Sequence, residues 1–171
     1  RRSIDRTTPT CSITREIFDA MNSQDQTGNN NAGMDLASGI SAFESKHFTQ
    51  ALSLLLPLAQ RGVADAQYRV AIMFQNGLGV VRNEDSAAQW MRAAAEQGHA
   101  LAQHGLGFMY MEGDCMPQAG DQAVKWFEKA AAQGLAGSQT TLALLYEEGK
   151  IVDQDLDKAR DWYRAAGFDE K

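Results

Sequence analysis

The chain has 171 residues, 44% of them hydrophobic, which is enough for one domain with a continuous core. Its 22 Asp and Glu side chains outnumber its 16 Lys and Arg side chains, giving a formal net charge of −6. We therefore do not expect nucleic acid binding, because a phosphate-binding surface needs clustered basic residues, nor membrane insertion, because no apolar run approaches the roughly 20 residues of a spanning helix.

Residues 1–33 form an N-terminal segment without repeats. Since it begins with Arg1 rather than Met and has no signal peptide, we interpret the chain as a trimmed or processed fragment. Residues 12–22 predict a short helix, and the polar residues 23–33 (SQDQTGNNNAG) predict a flexible linker. The helix has one apolar side, formed by Ile13, Ile17, Phe18 and Met21. Because an isolated helix this short is marginal in water, we expect it to dock on the N-terminal end of the domain that follows, in a groove of that domain, or on a partner or second copy.

Residues 34–63 predict an opening helical hairpin. Its last columns match those of the segment that follows, because Leu54, Leu58, Ala59 and Gly62 lie 36 residues before Trp90, Ala94, Ala95 and Gly98. We place the two helices between Met34 and Arg61, with a short turn at residues 45–47.

Residues 64–171 consist of three copies of a 36-residue repeat, residues 64–99, 100–135 and 136–171, which align without a gap. Equivalent positions keep their residue type: Trp90, Trp126 and Trp162; Phe74, Tyr110 and Tyr146; Gly77, Gly113 and Gly149; Asp85, Asp121 and Asp157; Ala87, Ala123 and Ala159. A fixed period of this length is typical of stacked supersecondary units whose surfaces bind other proteins.

Each repeat predicts two helices joined by a glycine-containing turn. In the first copy, residues 64–76 have apolar residues at helical spacing, and Gly77 follows, where a left-handed residue commonly ends a helix. Asn83 is positioned to cap the second helix, which runs to about residue 97 and stops at Gly98. We expect Gly134 to end the second helix of the next copy and the chain terminus to end the last one. The Trp column is interpreted as helix packing rather than as a ligand-binding aromatic box.

These columns resemble the Sel-1-like repeat, a branch of the tetratricopeptide-like helical repeats. The first copy matches at Ala66, Gln67, Val70, Ala71, Phe74, Gly77, Leu78, Gly79, Val80, Ala87, Trp90, Ala94, Ala95 and Gly98. The second copy departs at Cys115 and Met116, where the family usually has Gly-Val, and the third departs at Ser138, Ile151 and Glu170. The opening hairpin resembles the related tetratricopeptide hairpin, so the resemblance covers residues 34–171. It implies an all-α, right-handed α-solenoid of antiparallel helix pairs.

The resemblance also implies a non-enzymatic adaptor or scaffold that binds a peptide or helix of a protein partner in a concave groove formed by the first helix of each pair. The residues that it places in the groove are Ile40, Phe43, Tyr68, Ile72, Gln75, His104, Phe108, Met111, Glu112, Leu144 and Glu147. Acidic residues at the groove rim favour a basic or amphipathic peptide. The alternative is that some of these apolar side chains pack against neighbouring helices. Family members are often exported, so we lean towards a periplasmic or secreted location over a cytoplasmic one.

Catalytic and metal-binding patterns are weak. Of the three histidines, His99 and His104 lie near Cys115, but a zinc site needs three or four convergent ligands. Residues 153–157 alternate Asp as a calcium loop does, yet Lys158 stands where the loop needs Gly, so we interpret these acids as crowding a helix N-terminus. We expect no metal and no cofactor.

Cys11 and Cys115 are either bridged, in an oxidising compartment, or two free thiols. The rival functions are self-assembly through residues 12–22 and an enzyme acting on cell-wall or antibiotic substrates, or a regulator of an enzyme.

Overall fold

The computed structural model describes residues 32–168, and these residues form eight α-helices: α1 (Ala32–Glu44), α2 (Phe48–Gln60), α3 (Ala64–Asn76), α4 (Glu84–Glu96), α5 (Ala100–Glu112), α6 (Gly120–Ala132), α7 (Ala136–Glu148) and α8 (Leu156–Ala165). Every helix packs on the helices that precede and follow it in the sequence, so the described part of the chain is a row of helix pairs. The predicted all-α solenoid of antiparallel pairs is confirmed. The predictions for residues 12–22, the linker and Cys11 lie outside the described residues.

Local sequence signals set the helix ends. Gly77 has the predicted left-handed backbone, with φ of 67°, and the side chain of Asn83 caps α4 by accepting a hydrogen bond of 2.9 Å from the backbone N–H of Ser86. The acids of the last copy behave in the same way, because the carboxylate of Asp155 accepts the backbone N–H of Lys158 at 3.0 Å and so caps α8. These hydrogen bonds confirm the predicted cap at Asn83 and place Asp155 at the N-terminus of α8.

The last helix is shorter than predicted. The chain terminus does not end α8; the helix ends at Ala165, and Gly167 adopts the left-handed conformation with φ of 86°. The backbone N–H of Phe168 then donates to the carbonyl of Tyr163 at 3.0 Å, and the two rings meet edge to face with centroids 6.1 Å apart. This hydrogen bond and ring contact form a Schellman end, which stops α8 three residues earlier than the repeat period predicts.

The core consists of three successive apolar clusters, which lie between α1 and α3, between α3 and α5, and between α6 and α7. The half-buried Trp column lies at the cluster edges: Trp90 packs on the first two clusters, Trp126 on the second and Trp162 on the third. These contacts support the packing interpretation of the tryptophans. Among residues 32–168, Phe127 is the largest fully buried side chain.

A column of buried glutamines joins neighbouring repeats. The Nε2 group of Gln103 donates to the carbonyl of Ala95 at 3.1 Å, and its Oε1 accepts from Gln133 at 2.7 Å. Gln67 repeats the arrangement one copy earlier, with a donated bond of 3.1 Å to Ala59 and an accepted bond of 2.6 Å from Gln97. Each glutamine therefore ties a first helix to the pair before it and to the end of its own second helix. We call this set of bonds the glutamine ladder.

The turn of each repeat packs on the start of the previous second helix. A Cβ at Gly79 would lie 2.7 Å from the backbone of Phe48, so a side chain does not fit there. In the contact between the turn of the third repeat and the start of α6, the glycine belongs to the helix instead of the turn. The carbonyl oxygen of Ile151 occupies the space that a Cβ at Gly120 would need. Cys115, which stands where the family has Gly, keeps the left-handed backbone with φ of 61°.

The outer side of α1 is more polar than the equivalent side of α3. Val70 and Met73 of α3 are fully buried against the first cluster, whereas the matching residues of α1, Ser38 and Ser41, are exposed. Met34, which matches the fully buried Ala66 of α3, is apolar and 71% exposed. Apart from Met34, this side of α1 therefore has polar residues where α3 has buried apolar ones.

Candidate functional site

The first helices of the four pairs, α1, α3, α5 and α7, share a row of apolar residues at one equivalent position. This apolar row consists of Ile40, Ile72, Phe108 and Leu144. Ile40 and Ile72 are half-buried, whereas Phe108 is 37% exposed and Leu144 is 44% exposed. We call the side of the array that carries this row the first-helix surface. Exposed apolar side chains at a repeated position are typical of an interaction surface.

An acidic row lies one helical turn from the apolar row. Glu44, Glu112 and Glu148 follow it by four residues, and Asn76 occupies the same position in α3. Across the four first helices there are six carboxylates and one guanidinium, that of Arg69, whereas the four second helices have seven carboxylates and six basic groups. Arg69 already pairs with Asp65 at 2.9 Å. The net negative charge of the helices is therefore concentrated on the first helices.

The acidic row opposes the helix dipole. A carboxylate in the last turn of a helix lies beside unpaired carbonyls and costs about 0.3–1 kcal/mol at an exposed position. Glu148 is compensated by Lys150 at 3.0 Å, but Glu112 has no ion-pair partner among residues 32–168. Such a locally unfavourable choice is expected where a partner supplies the missing positive charge.

His104 and Phe108 form the centre of the first-helix surface. The ring of His104 meets those of Phe108 and Phe127 edge to face, with centroids 4.8 Å and 5.4 Å away, and its Nδ1 lies 2.7 Å from the hydroxyl of the buried Ser138. Burial lowers the pKa of His104, so the neutral form is favoured. The imidazole is thus a neutral aromatic part of the surface, held in place by Phe108, Phe127 and Ser138.

Tyr68 is held by contacts to the next repeat. Its ring stacks on that of His99 with centroids 4.8 Å apart. The Nδ1 atom of His99 accepts the backbone N–H of Ala102 at 3.1 Å and so caps α5, while its Nε2 lies 3.3 Å from a carboxylate oxygen of Asp65. Partial burial raises the pKa of Asp65, but hydrogen bonds from Arg69 and His99 outweigh it and the pKa is lowered. This cluster therefore fixes Tyr68 in place on the surface.

Four other predicted site residues pack or form hydrogen bonds within the protein. Phe43 packs on the first cluster and Met111 on the third, so little of either remains for a partner. Gln75 donates to Asp114 at 2.7 Å. Glu147 accepts a hydrogen bond of 2.6 Å from the hydroxyl of Tyr163, which raises the pKa of that tyrosine to about 12. Of the apolar residues predicted for the groove, Phe108 and Leu144 are exposed, whereas Phe43, Tyr68, Ile72 and Met111 lie at the edges of the apolar clusters.

Two further residues belong to this surface. Leu101 is 45% exposed and lies seven residues before Phe108, hence on the same side of α5. Gly137 stands at the equivalent position of α7, where a Cβ would come within 3.6 Å of the His104 ring. The seven-residue spacing could have revealed Leu101 from the sequence, whereas the nearness of Gly137 to His104 depends on how α5 and α7 pack.

The described residues offer no alternative chemical centre. In residues 32–168 no three His, Cys, Asp or Glu side chains are grouped so that they could hold a metal ion, and no helix there is long and apolar enough to cross a membrane. The thiol of Cys115 forms no disulfide within residues 32–168, and burial, with Asp114 close by, raises its pKa to about 11. A thiol with that pKa is protonated near neutral pH and is a poor nucleophile.

Comparisons with known proteins agree with the geometry. The Sel1 repeat matches residues 64–99, 100–135 and 136–167. The chain is similar to a Sel1 repeat protein from Oxalobacter formigenes, with 34% identity and a TM-score of 0.72 over 78% of this chain and 53% of that one. It is also similar to c5321, a protective antigen of uropathogenic Escherichia coli with an SLR fold, with 32% identity and a TM-score of 0.75 over 88% of this chain and 32% of that one. No curated protein sequence gives a significant match.

The chain thus spans about half the length of the first of these structures and a third of the second. Its three repeats match the family along most of their length, and the helix pairs have the arrangement that the family predicts. The chain belongs to the Sel1 repeat family, whose members are generally protein-interaction modules.

Proposed function

We propose that the first-helix surface binds a peptide or helix of a partner protein that carries both apolar and basic residues. The observation that carries this proposal is the exposed apolar row, with the acidic row one helical turn away. Sel1 repeat proteins are typically non-enzymatic scaffolds, and a protein partner is therefore the expected ligand class.

The two rows have different roles in this proposal. Phe108 and Leu144 lose their remaining water contact when a partner covers them, and burial of apolar surface is the main source of affinity. Glu112 and Glu148 lie at the edge of that contact, where carboxylates attract and orient a basic partner more than they add affinity. The fixed rings of Tyr68 and His104 differ between repeats and so distinguish one partner segment from another.

A selection from a random peptide library tests the proposal. We expect peptides that bind the native chain to be rich in Lys or Arg together with Leu, Ile or Phe, and we expect Leu144→Glu to abolish their binding. Ala132→Glu is the matched control, because Ala132 is exposed on the second helix α6 and the charge change is the same. Selected peptides that bind Leu144→Glu as tightly as the native chain would place the binding site elsewhere.

A further inference from the structure

We infer that the segment bound by the first-helix surface is an amphipathic α-helix whose basic residues lie along one edge of its apolar side. This inference rests on the proposed function and deepens it, since the proposal itself leaves open whether the partner segment is extended or helical. It follows from which hydrogen-bonding groups of the surface remain available.

The amide and threonine side chains of α3, α5 and α7 are already hydrogen bonded within the protein. Asn76 donates to the carbonyl of Ile72 at 2.9 Å, and Gln75 donates to Asp114. The hydroxyls of Thr140 and Thr141 donate back into their own helix at 3.0 Å and 2.8 Å. The three remaining amides, those of Gln67, Gln103 and Gln139, donate to carbonyls at the ends of preceding helices.

Each of these side chains keeps a second N–H or an acceptor oxygen, but the bond that it already makes fixes its direction. An extended peptide would need such groups directed at its own backbone. Its backbone N–H and C=O groups lose water when they lie on the apolar row, and each one left unpaired costs free energy comparable to a lost hydrogen bond. The backbone of the first helices cannot replace the side chains as a partner, because helical N–H and C=O groups bond to one another. An extended segment would therefore bind weakly at Phe108 and Leu144.

A helix avoids this penalty because it pairs its own backbone groups. To pack on the apolar row, the partner helix needs only an apolar stripe of its own, with residues at i, i+3, i+4 and i+7. Lys or Arg along one edge of the stripe would reach the acidic row, where Glu112 lies without an ion-pair partner among the described residues. The excess of six carboxylates over one guanidinium on the first helices supplies the complementary charge.

Three synthetic peptides of about five helical turns test the inference. The first has a Leu stripe flanked by Lys, the second has the same composition with two interior prolines that prevent a helix, and the third has Glu in place of Lys. Fluorescence anisotropy gives the dissociation constants, and circular dichroism shows whether the bound peptide is helical. We expect the first peptide to bind about tenfold or more tightly than the second, and the third not to bind.

Two protein variants test whether the acidic row, rather than the net charge of the protein, attracts the peptide. Glu112→Gln should weaken binding of the first peptide about two- to fivefold, as expected for an exposed ion pair, whereas Glu96→Gln, which removes an exposed carboxylate from the second helix α4, should leave it unchanged. Equal effects of the two variants would show that net charge alone attracts the peptide. They would contradict the inference that the partner helix has basic residues along one edge.

The outcomes distinguish the inference from the proposed function. If the proline peptide binds as tightly as the helical one and Leu144→Glu weakens both, the partner segment is extended and only the inference fails. If Leu144→Glu weakens neither, the first-helix surface is not the binding site and the proposed function fails as well.

Discussion

Replacement of Gln103 by methionine should destabilise the fold through the glutamine ladder. Methionine has nearly the same length but no polar atoms, so it removes the bond of 3.1 Å to Ala95 and the bond of 2.7 Å from Gln133 while it fills the same space. Gln103 is only 6% exposed, and water cannot replace its side chain at the carbonyl of Ala95. That carbonyl still accepts the N–H of Gly98 at 3.0 Å, so it is not left without a partner.

The expected loss is about 1–2 kcal/mol, because each hydrogen bond contributes about 1 kcal/mol net and methionine recovers part of it by apolar burial. Gln139→Met is the matched control: Gln139 is half-buried and makes a single longer bond of 3.3 Å, to Ala131. We expect it to cost less than about 1 kcal/mol. Urea denaturation followed by circular dichroism measures both values, and for a chain of this size the melting temperature of Gln103→Met should fall by about 3–6 °C.

Two results would refute the reasoning. A loss for Gln139→Met equal to that for Gln103→Met would show that burial and the second hydrogen bond do not matter. A neutral Gln103→Met would show that the ladder adds no stability beyond the packing of the helices.

The remaining predictions concern the turns, the alkaline pH range and the acidic row. Gly79→Ala should cost about 2–4 kcal/mol in the free energy of unfolding, because the new Cβ meets the backbone of α2 and because φ is 69°. Cys115→Gly should change the free energy of unfolding by less than about 1 kcal/mol. Equal effects of the two variants in urea denaturation would contradict this account. The pKa of Tyr163, about 12 when folded against 10.0 for an ordinary tyrosine, means that this hydrogen bond stabilises the fold below pH 10 and that its contribution is lost as pH rises towards 12. Glu147→Gln should therefore lower that pKa in a titration of tyrosinate absorbance, and an unchanged titration would show that Glu147 is not the cause. Asn76→Glu should complete the acidic row and tighten binding of the Lys-flanked helical peptide about twofold, and no change in the anisotropy titration would contradict the role of that row.

Residues with local effects were predictable from the sequence. The boundaries of α3, the cap at Asn83 and the left-handed Gly77 depend on neighbours within a few residues, and the repeat shows each signal more than once. The end of α8 was mispredicted because the period was carried onto the last copy, where Gly167 had already provided an earlier stop.

Contacts between repeats were not predictable. The glutamine column is visible in the sequence at Gln67, Gln103 and Gln139, but its function depends on carbonyls eight residues away across a helix junction. The apolar row could be placed on one side of the helices, yet the exposure of each member depends on how far the next helix covers it. Phe108 and Leu144 are therefore distinguished from Ile40 and Ile72 only by the packed structure.

The contact between each turn and the previous second helix makes the order of the repeats matter for the evolution of the array. Tandem repeats can gain or lose copies by unequal recombination, and a deletion of residues 100–135 would keep the 36-residue period. It would also move Ile151 from a position opposite Gly120 to one opposite Glu84, where a larger residue takes the place of the glycine. The repeats of this chain are thus not interchangeable at this contact, and a change in copy number would bring together residues that do not face each other now.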